Sequence, residues 1–141
     1  MSQVGIVREN AILPFATECD LTGQEGRPVV VTPATPYPIV GLMDDPGSSP
    51  PIGVLVKGGK PGETVSVAIA AGGLAGTVRV KLSGPVSAGT YLQTHKVGPW
   101  CGFSGPGGTA ERWVCAQALE PGVADEMIEA VLFKPIEIPG A

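Results

Sequence analysis

The sequence has 141 residues, which is enough for one domain with its own hydrophobic core. Its 21 glycines and 15 prolines, set among 43% hydrophobic residues, argue against disorder and predict many short strands joined by turns. The formal net charge is −4, with 9 Lys and Arg against 13 acidic residues, which argues against a nucleic-acid partner. Charged residues make up only 16% of the chain. A surface so poor in charge is either in contact with another protein, as is often the case, or covered by small polar residues.

The cysteines and the N-terminus indicate where the protein is made and folds. Cys19, Cys101 and Cys115 are odd in number and widely spaced, which fits neither a disulfide framework nor a zinc site. We therefore predict buried free thiols in a protein made in a reducing cytoplasm. Residues 1–10 lack the basic and apolar regions of a signal peptide. The longest apolar stretch, 65–75, is shorter than the ~20 residues of a membrane span, so we expect no membrane partner.

The first residues of the chain differ from the rest. Residues 1–26 are irregular, are interrupted by Pro14 and end in a turn-like sequence. We predict that residues 1–26 form an extended N-terminal arm and that residues 27–141 form the folded domain.

Strand signals begin after residue 28. The apolar β-branched run 29–32 is followed by prolines, which limit it to a short or edge strand because proline cannot donate to a ladder. A second short run covers residues 39–43. The Asp- and Pro-rich segment 44–51 then predicts a turn or an exposed loop.

The centre of the chain has the clearest periodicity. A strand over 52–56 is turned by a Gly- and Lys-rich segment. Residues 64–69 and 77–82 each alternate apolar with polar or small side chains, which is the period of a half-buried strand. The Gly-rich segment between these two strands predicts a hairpin.

The C-terminal half continues in the same way. We predict strands over residues 90–94, 97–103 and 112–119. The segment 126–133 also fits helical spacing, and we predict a strand that begins near Met127. The chain is therefore predicted to be all-β, as a small single-domain barrel or sandwich.

Residue patterns for catalysis or metal binding are weak. His95 is the only histidine and has no acid or nucleophile at a recognisable spacing. The glycine loop 104–109 lacks the Lys-Ser/Thr ending of a phosphate-binding loop. The acid pairs Asp44–Asp45 and Asp125–Glu126 lack the spaced ligands of a calcium loop. We expect no enzyme activity, no cofactor and no metal.

The large aromatic residues are the candidates for contact with a partner. Most of them are expected in the core of a small β domain, although aromatics are also enriched at interface centres. Trp100 is the strongest candidate because it lies in a predicted turn, and turn residues seldom point into a core. Phe103 and Tyr37 are further candidate interface residues.

The ordered set of turns and strands resembles the small capsid decoration, or cement, proteins of tailed phages. The resemblance covers roughly residues 17–134 and rests on these segments: Asp20-Leu21 to Val29, Ile52-Gly53-Val54-Leu55, Gly62-Glu63-Thr64-Val65, Gly76-Thr77-Val78, Ser87-Ala88-Gly89-Thr90, Ala118-Leu119-Glu120 and Glu126 to Phe133. Each segment alone is ordinary turn chemistry followed by a strand. Only their order is characteristic.

The resemblance implies a homotrimer that docks on the outside of a phage head and binds the major capsid protein. It also implies a structural role without catalytic residues, in which the protein stabilises the mature capsid. A different class stays open: a fibre- or tail-associated β module that binds a receptor or a carbohydrate. Tyr37 beside Asp44–Asp45 is the grouping of aromatic and acidic residues that suits a sugar.

Overall fold

The computed structural model of the chain describes residues 12–17, 19–32, 39–43, 50–70, 77–97, 100–105 and 112–138. These residues form ten β-strands: β1 Ile12–Thr17, β2 Pro28–Thr32, β3 Ile39–Leu42, β4 Gly53–Lys57, β5 Thr64–Ile69, β6 Val78–Lys81, β7 Tyr91–Val97, β8 Trp100–Ser104, β9 Arg112–Ala118 and β10 Met127–Ile138. The described part contains no helix. The all-β prediction is confirmed.

The first five strands close into a barrel in the order β1-β3-β2-β4-β5, with β5 paired to β1. All pairs are antiparallel except β1 with β3, which are parallel. Apolar side chains alternate along these strands and fill the barrel. The buried residues inside it are Leu21, Val29, Val40, Leu42, Leu55, Val65 and Val67.

The last five strands form an antiparallel sheet in the order β6-β10-β9-β7-β8. A bridge between Leu82 and Phe103 brings the two edge strands, β6 and β8, together at one end. The long strand β10 shifts register between Leu132 and Ile136. Pro135 lies in this irregular stretch, which is where a strand tolerates a residue that cannot donate to the ladder.

The two sheets share a core. Val54 of β4, Ala68 of β5 and the following Ala70 pack with the buried residues of the second sheet, so β4 and β5 are covered on both faces. At this junction Gly26 donates its N–H to the Leu55 carbonyl and accepts the N–H of Lys81, both at 2.8 Å. The two hydrogen bonds connect the barrel directly to the second sheet.

The predicted arm requires a correction. Within residues 1–26, β1 is a full strand of the barrel, and Leu21 is completely buried in the barrel core. The segment from residue 12 onward therefore belongs to the folded domain. Residues 1–11 lie outside the described residues.

The predicted hairpin of residues 64–69 with 77–82 is also wrong. Strand β5 pairs with β1 and β4, whereas β6 pairs with β10. The alternating pattern identifies the buried face of each strand correctly, but it carries no information about the partner. The final element is a strand that begins at Met127, as predicted.

Candidate interaction surfaces

Trp100 lies at the start of β8 and not in the turn that the sequence predicts. It is paired with Val97, so residues 98–99 alone connect β7 to β8. The side chain of Trp100 lies outside the described part of the structure, and so does the whole of Tyr37. The structure therefore leaves both candidate contacts as predictions.

Phe103 is a core residue, so the prediction that it is an interface contact is wrong. Its side chain is 0% exposed and packs in the core of the second sheet. Its carbonyl accepts the N–H of Ser83 at 2.8 Å, next to the bridge with Leu82. Because β6 covers it from the other edge of the sheet, this aromatic ring is not available to a partner.

The histidine and the cysteines have ordinary structural surroundings. The Nδ1 atom of His95 lies 3.3 Å from the Ser83 hydroxyl oxygen. Cys101 and Cys115 are buried free thiols, as predicted, whereas Cys19 is exposed, so the prediction is wrong for that residue. Burial raises the pKa of the Cys115 thiol to about 12 because the ionised form loses its hydration.

The described residues also lack a metal centre. They contain no group of three or more His, Cys, Asp or Glu side chains that could hold a metal ion. Asp125 adopts a left-handed backbone with φ of 71°, and the Glu126 Oε1 atom accepts the Val123 N–H at 2.7 Å. This acid pair therefore shapes the turn before β10, while Asp44–Asp45 lies outside the described residues. No helix of the described chain has the length and apolar character to cross a membrane.

The solvent side of the second sheet carries an exposed apolar patch, which we call the Tyr91 face. Tyr91 pairs with Gln117, which pairs with Val131, and paired residues share one face of a sheet. Phe133 follows Val131 by two residues along β10 and faces the same way. Leu119 lies just past the end of β9, where its N–H donates to the Glu129 carbonyl and so extends the pairing with β10. The Tyr91 face consists of Tyr91, Leu119, Val131 and Phe133.

The Tyr91 face is arranged like the centre of a protein–protein contact. Tyr91 is 58% exposed, and its ring meets the edge of Phe133 with centroids 5.9 Å apart and an interplanar angle of 82°. The flanking residues Glu129 and Arg79 are charged, and the polar Gln117 lies between Tyr91 and Val131. An aromatic centre with a polar rim is typical of interfaces.

A second apolar surface is an open groove of about 650 Å³, which we call the Trp113 groove. It is lined by residues 50–52, residues 69–70, Trp113 and residues 134–135. The indole Nε1–H of Trp113 is buried, and no described residue accepts a hydrogen bond from it. Its lining comes from four separate parts of the chain, and for this reason no local pattern in the sequence indicates it.

The comparisons with known proteins establish the fold only. The sequence matches no family model and no curated protein, so the resemblance to decoration proteins stays a prediction. Among solved structures, the chain is similar to the crystal structure of the head fiber gp8.5 N base in bacteriophage phi29. The TM-score is 0.62 at 13% identity, over 90% of this chain and 98% of that chain. The similarity therefore covers both sheets.

Proposed function

We propose that this protein is a structural component of a phage head that binds the outer surface of the capsid and stabilises the mature shell without catalysis. The observation that carries the proposal is the similarity of nearly the whole fold to the base of a phage head fiber protein. The ordered strand and turn motifs, which resemble decoration proteins, support the same role independently. The proposed partners are the major capsid protein and further copies of this chain in a homotrimer.

We assign the capsid contact to the Tyr91 face. A protein that binds the assembled shell but not its dissociated subunits stabilises the shell by mass action. Three linked copies bind with an avidity that one copy cannot reach. The exposed ring of Tyr91 and the half-buried ring of the neighbouring Phe133 supply the large apolar contacts that carry most of the binding energy at interfaces.

The experiment is a binding and survival assay with heads that lack this protein. Purified protein should co-sediment with such heads and raise the temperature at which they lose DNA. Tyr91→Ala should weaken binding by about 1–3 kcal/mol, because an aromatic at an interface centre is removed. Val56→Ser is the matched control, since Val56 is 40% exposed on the barrel and lies outside the Tyr91 face. Equal heat survival of heads with and without the protein would contradict the stabilising role.

A second function is the base of a head fibre or a tail-associated module that binds a receptor. The similarity of the fold to a head fiber base favours the fibre base within this candidate, whereas the tail-associated module rests on the sequence alone. Binding to heads without any gain in heat survival would support a fibre base. Co-purification with tails or binding to host cells would support the receptor-binding module.

A further inference from the structure

The outer side of β1 carries an apolar surface that is separate from the Tyr91 face. Side chains alternate along a strand, and Leu13 and Phe15 face inward because they pair with Val67 and Val65 of the barrel core. The outward-facing residues are all exposed, and they are Ile12, Pro14 and Ala16. The solvent face of an antiparallel strand is ordinarily polar, so an outward row without a polar side chain needs an explanation.

The neighbouring strands extend this surface without adding charge. Ala16 pairs with Thr64 of β5 and with Ile39 of β3, and Pro14 pairs with Ser66 of β5. Paired residues share one face of a sheet. We call this surface the β1 wall, and it consists of Ile12, Pro14, Ala16, Ile39, Thr64 and Ser66. A charge enters at its rim, where Lys57 of β4 pairs with Ser66.

The uncharged character of the β1 wall favours a second copy of this chain as its partner. The chain has a formal net charge of −4, so two copies repel each other at a distance. A contact without charged side chains adds no like-charge pair to that repulsion and buries no unpaired charge. A partner that is selected by opposite charge would instead need charged groups on the wall.

The proposed homotrimer needs a subunit contact, and the Tyr91 face is already assigned to the capsid. The β1 wall is built from β1, β3 and β5, whereas the Tyr91 face belongs to the second sheet, so the two surfaces share no strand. Resting on the proposed function, we propose that the β1 walls of three copies pack against one another around the three-fold axis of the trimer. This arrangement closes the assembly and leaves no wall exposed. Specific interfaces bury about 800 Å² on each partner, so the β1 wall is the centre of this contact and not all of it.

A negative charge on the β1 wall tests the proposal. Ala16→Glu and Thr64→Glu each place a carboxylate at an exposed position of the wall, on two different strands. Like charges from three copies then meet, so the concentration at which half of the trimer dissociates should rise roughly 100-fold in sedimentation velocity. Ala88→Glu is the matched control, because Ala88 is an exposed alanine in the turn before β7 and lies outside the wall. It should leave the trimer unchanged.

The unmodified protein provides a test that needs no variant. A contact between uncharged walls should not weaken when salt is added, because salt screens the repulsion between copies and has no ion pair to disrupt. Light scattering at low and high sodium chloride concentration measures this directly. A trimer that dissociates as salt rises would overturn the proposal, since its subunit contact would then depend on ion pairs.

Two further results would overturn the proposal. One is an unchanged trimer in both Ala16→Glu and Thr64→Glu with native far-UV circular dichroism, which would put the subunit contact elsewhere. The other is an unmodified protein that is monomeric both in solution and on heads. Co-sedimentation with heads and the heat survival of those heads test the capsid role separately, so either result can be told apart from a failure of the proposed function.

Discussion

Replacing Gly26 by alanine tests the junction between the barrel and the second sheet. Gly26 has φ of +88°, and its N–H and carbonyl make the two hydrogen bonds to Leu55 and Lys81. A Cβ at this position would lie 2.7 Å from the Lys81 backbone nitrogen and from the end of the Met127 side chain. The methionine can move away, but the backbone nitrogen is fixed by its own hydrogen bond.

The expected loss of stability has two parts. A left-handed backbone costs an L-residue roughly 1–2 kcal/mol relative to glycine. Forcing a methyl group into a packed junction costs a further 1–3 kcal/mol or so. We therefore expect Gly26→Ala to lower the free energy of unfolding by about 2–5 kcal/mol.

Gly23 provides the matched control. Its φ of +76° is close to that of Gly26, but a Cβ there would meet no atom of the described residues within 4 Å. Gly23→Ala should therefore cost only the backbone part, about 1–2 kcal/mol. Urea unfolding of both variants, followed by circular dichroism, measures the difference. Equal losses for the two variants would refute the argument that Gly26 is required by the close approach of the sheets.

Two further predictions concern buried polar groups. Trp113→Phe should change the free energy of unfolding by less than about 1 kcal/mol in thermal or urea unfolding, because no described residue accepts a hydrogen bond from the indole N–H that it removes. Burial raises the pKa of the Cys115 thiol from 9.0 to about 12, so the unfolded thiol ionises first and the free energy of unfolding should fall as pH rises from 9 toward 12. Cys115→Ala should weaken that pH dependence when urea unfolding is measured at several pH values.

The positions of most strands could be predicted from the sequence because they depend on local information. The alternation over 64–69 and the glycines and prolines around it define β5 without knowledge of any partner. The same holds for β9, which the structure places at Arg112–Ala118 against a predicted 112–119. Turn residues end these strands for steric reasons that act within a few residues.

The pairing of strands could not be predicted in the same way. A hydrophobic period of two identifies which face of a strand is buried. It does not specify the neighbouring strand, because any strand with a similar apolar face can pair with it. The β5 and β6 strands follow each other closely in sequence and yet belong to different sheets. Strand β5 pairs with β1 and strand β6 pairs with β10, and these two partners come from the two ends of the described chain.

The candidate contacts depended on burial, which is a tertiary property. Phe103 and Tyr91 are both aromatics next to turns, but the first is 0% exposed and the second 58%. The difference arises because Phe103 faces the core side of its sheet and Tyr91 the solvent side. The Trp113 groove combines four distant segments and has no local signature at all.

Deleting residues 2–16 should abolish the cooperative folding of this protein. The sequence pattern predicts an arm here because Pro14 interrupts the apolar run, but Pro14 is accommodated in β1 opposite Ser66. The deletion removes most of β1, including Phe15, which packs on the barrel core. It also leaves β3 and β5 with unpaired edges, which favour aggregation.

A chain lacking only residues 2–10 is the control, since it keeps all of β1 and should retain native circular dichroism and a single unfolding transition. Both truncations can be compared with the full chain by urea unfolding and light scattering. A 2–16 deletion that unfolds at the same urea midpoint as the full chain would mean that β1 adds nothing to the barrel. The predicted boundary between an N-terminal arm, residues 1–26, and the folded domain, residues 27–141, would then be correct.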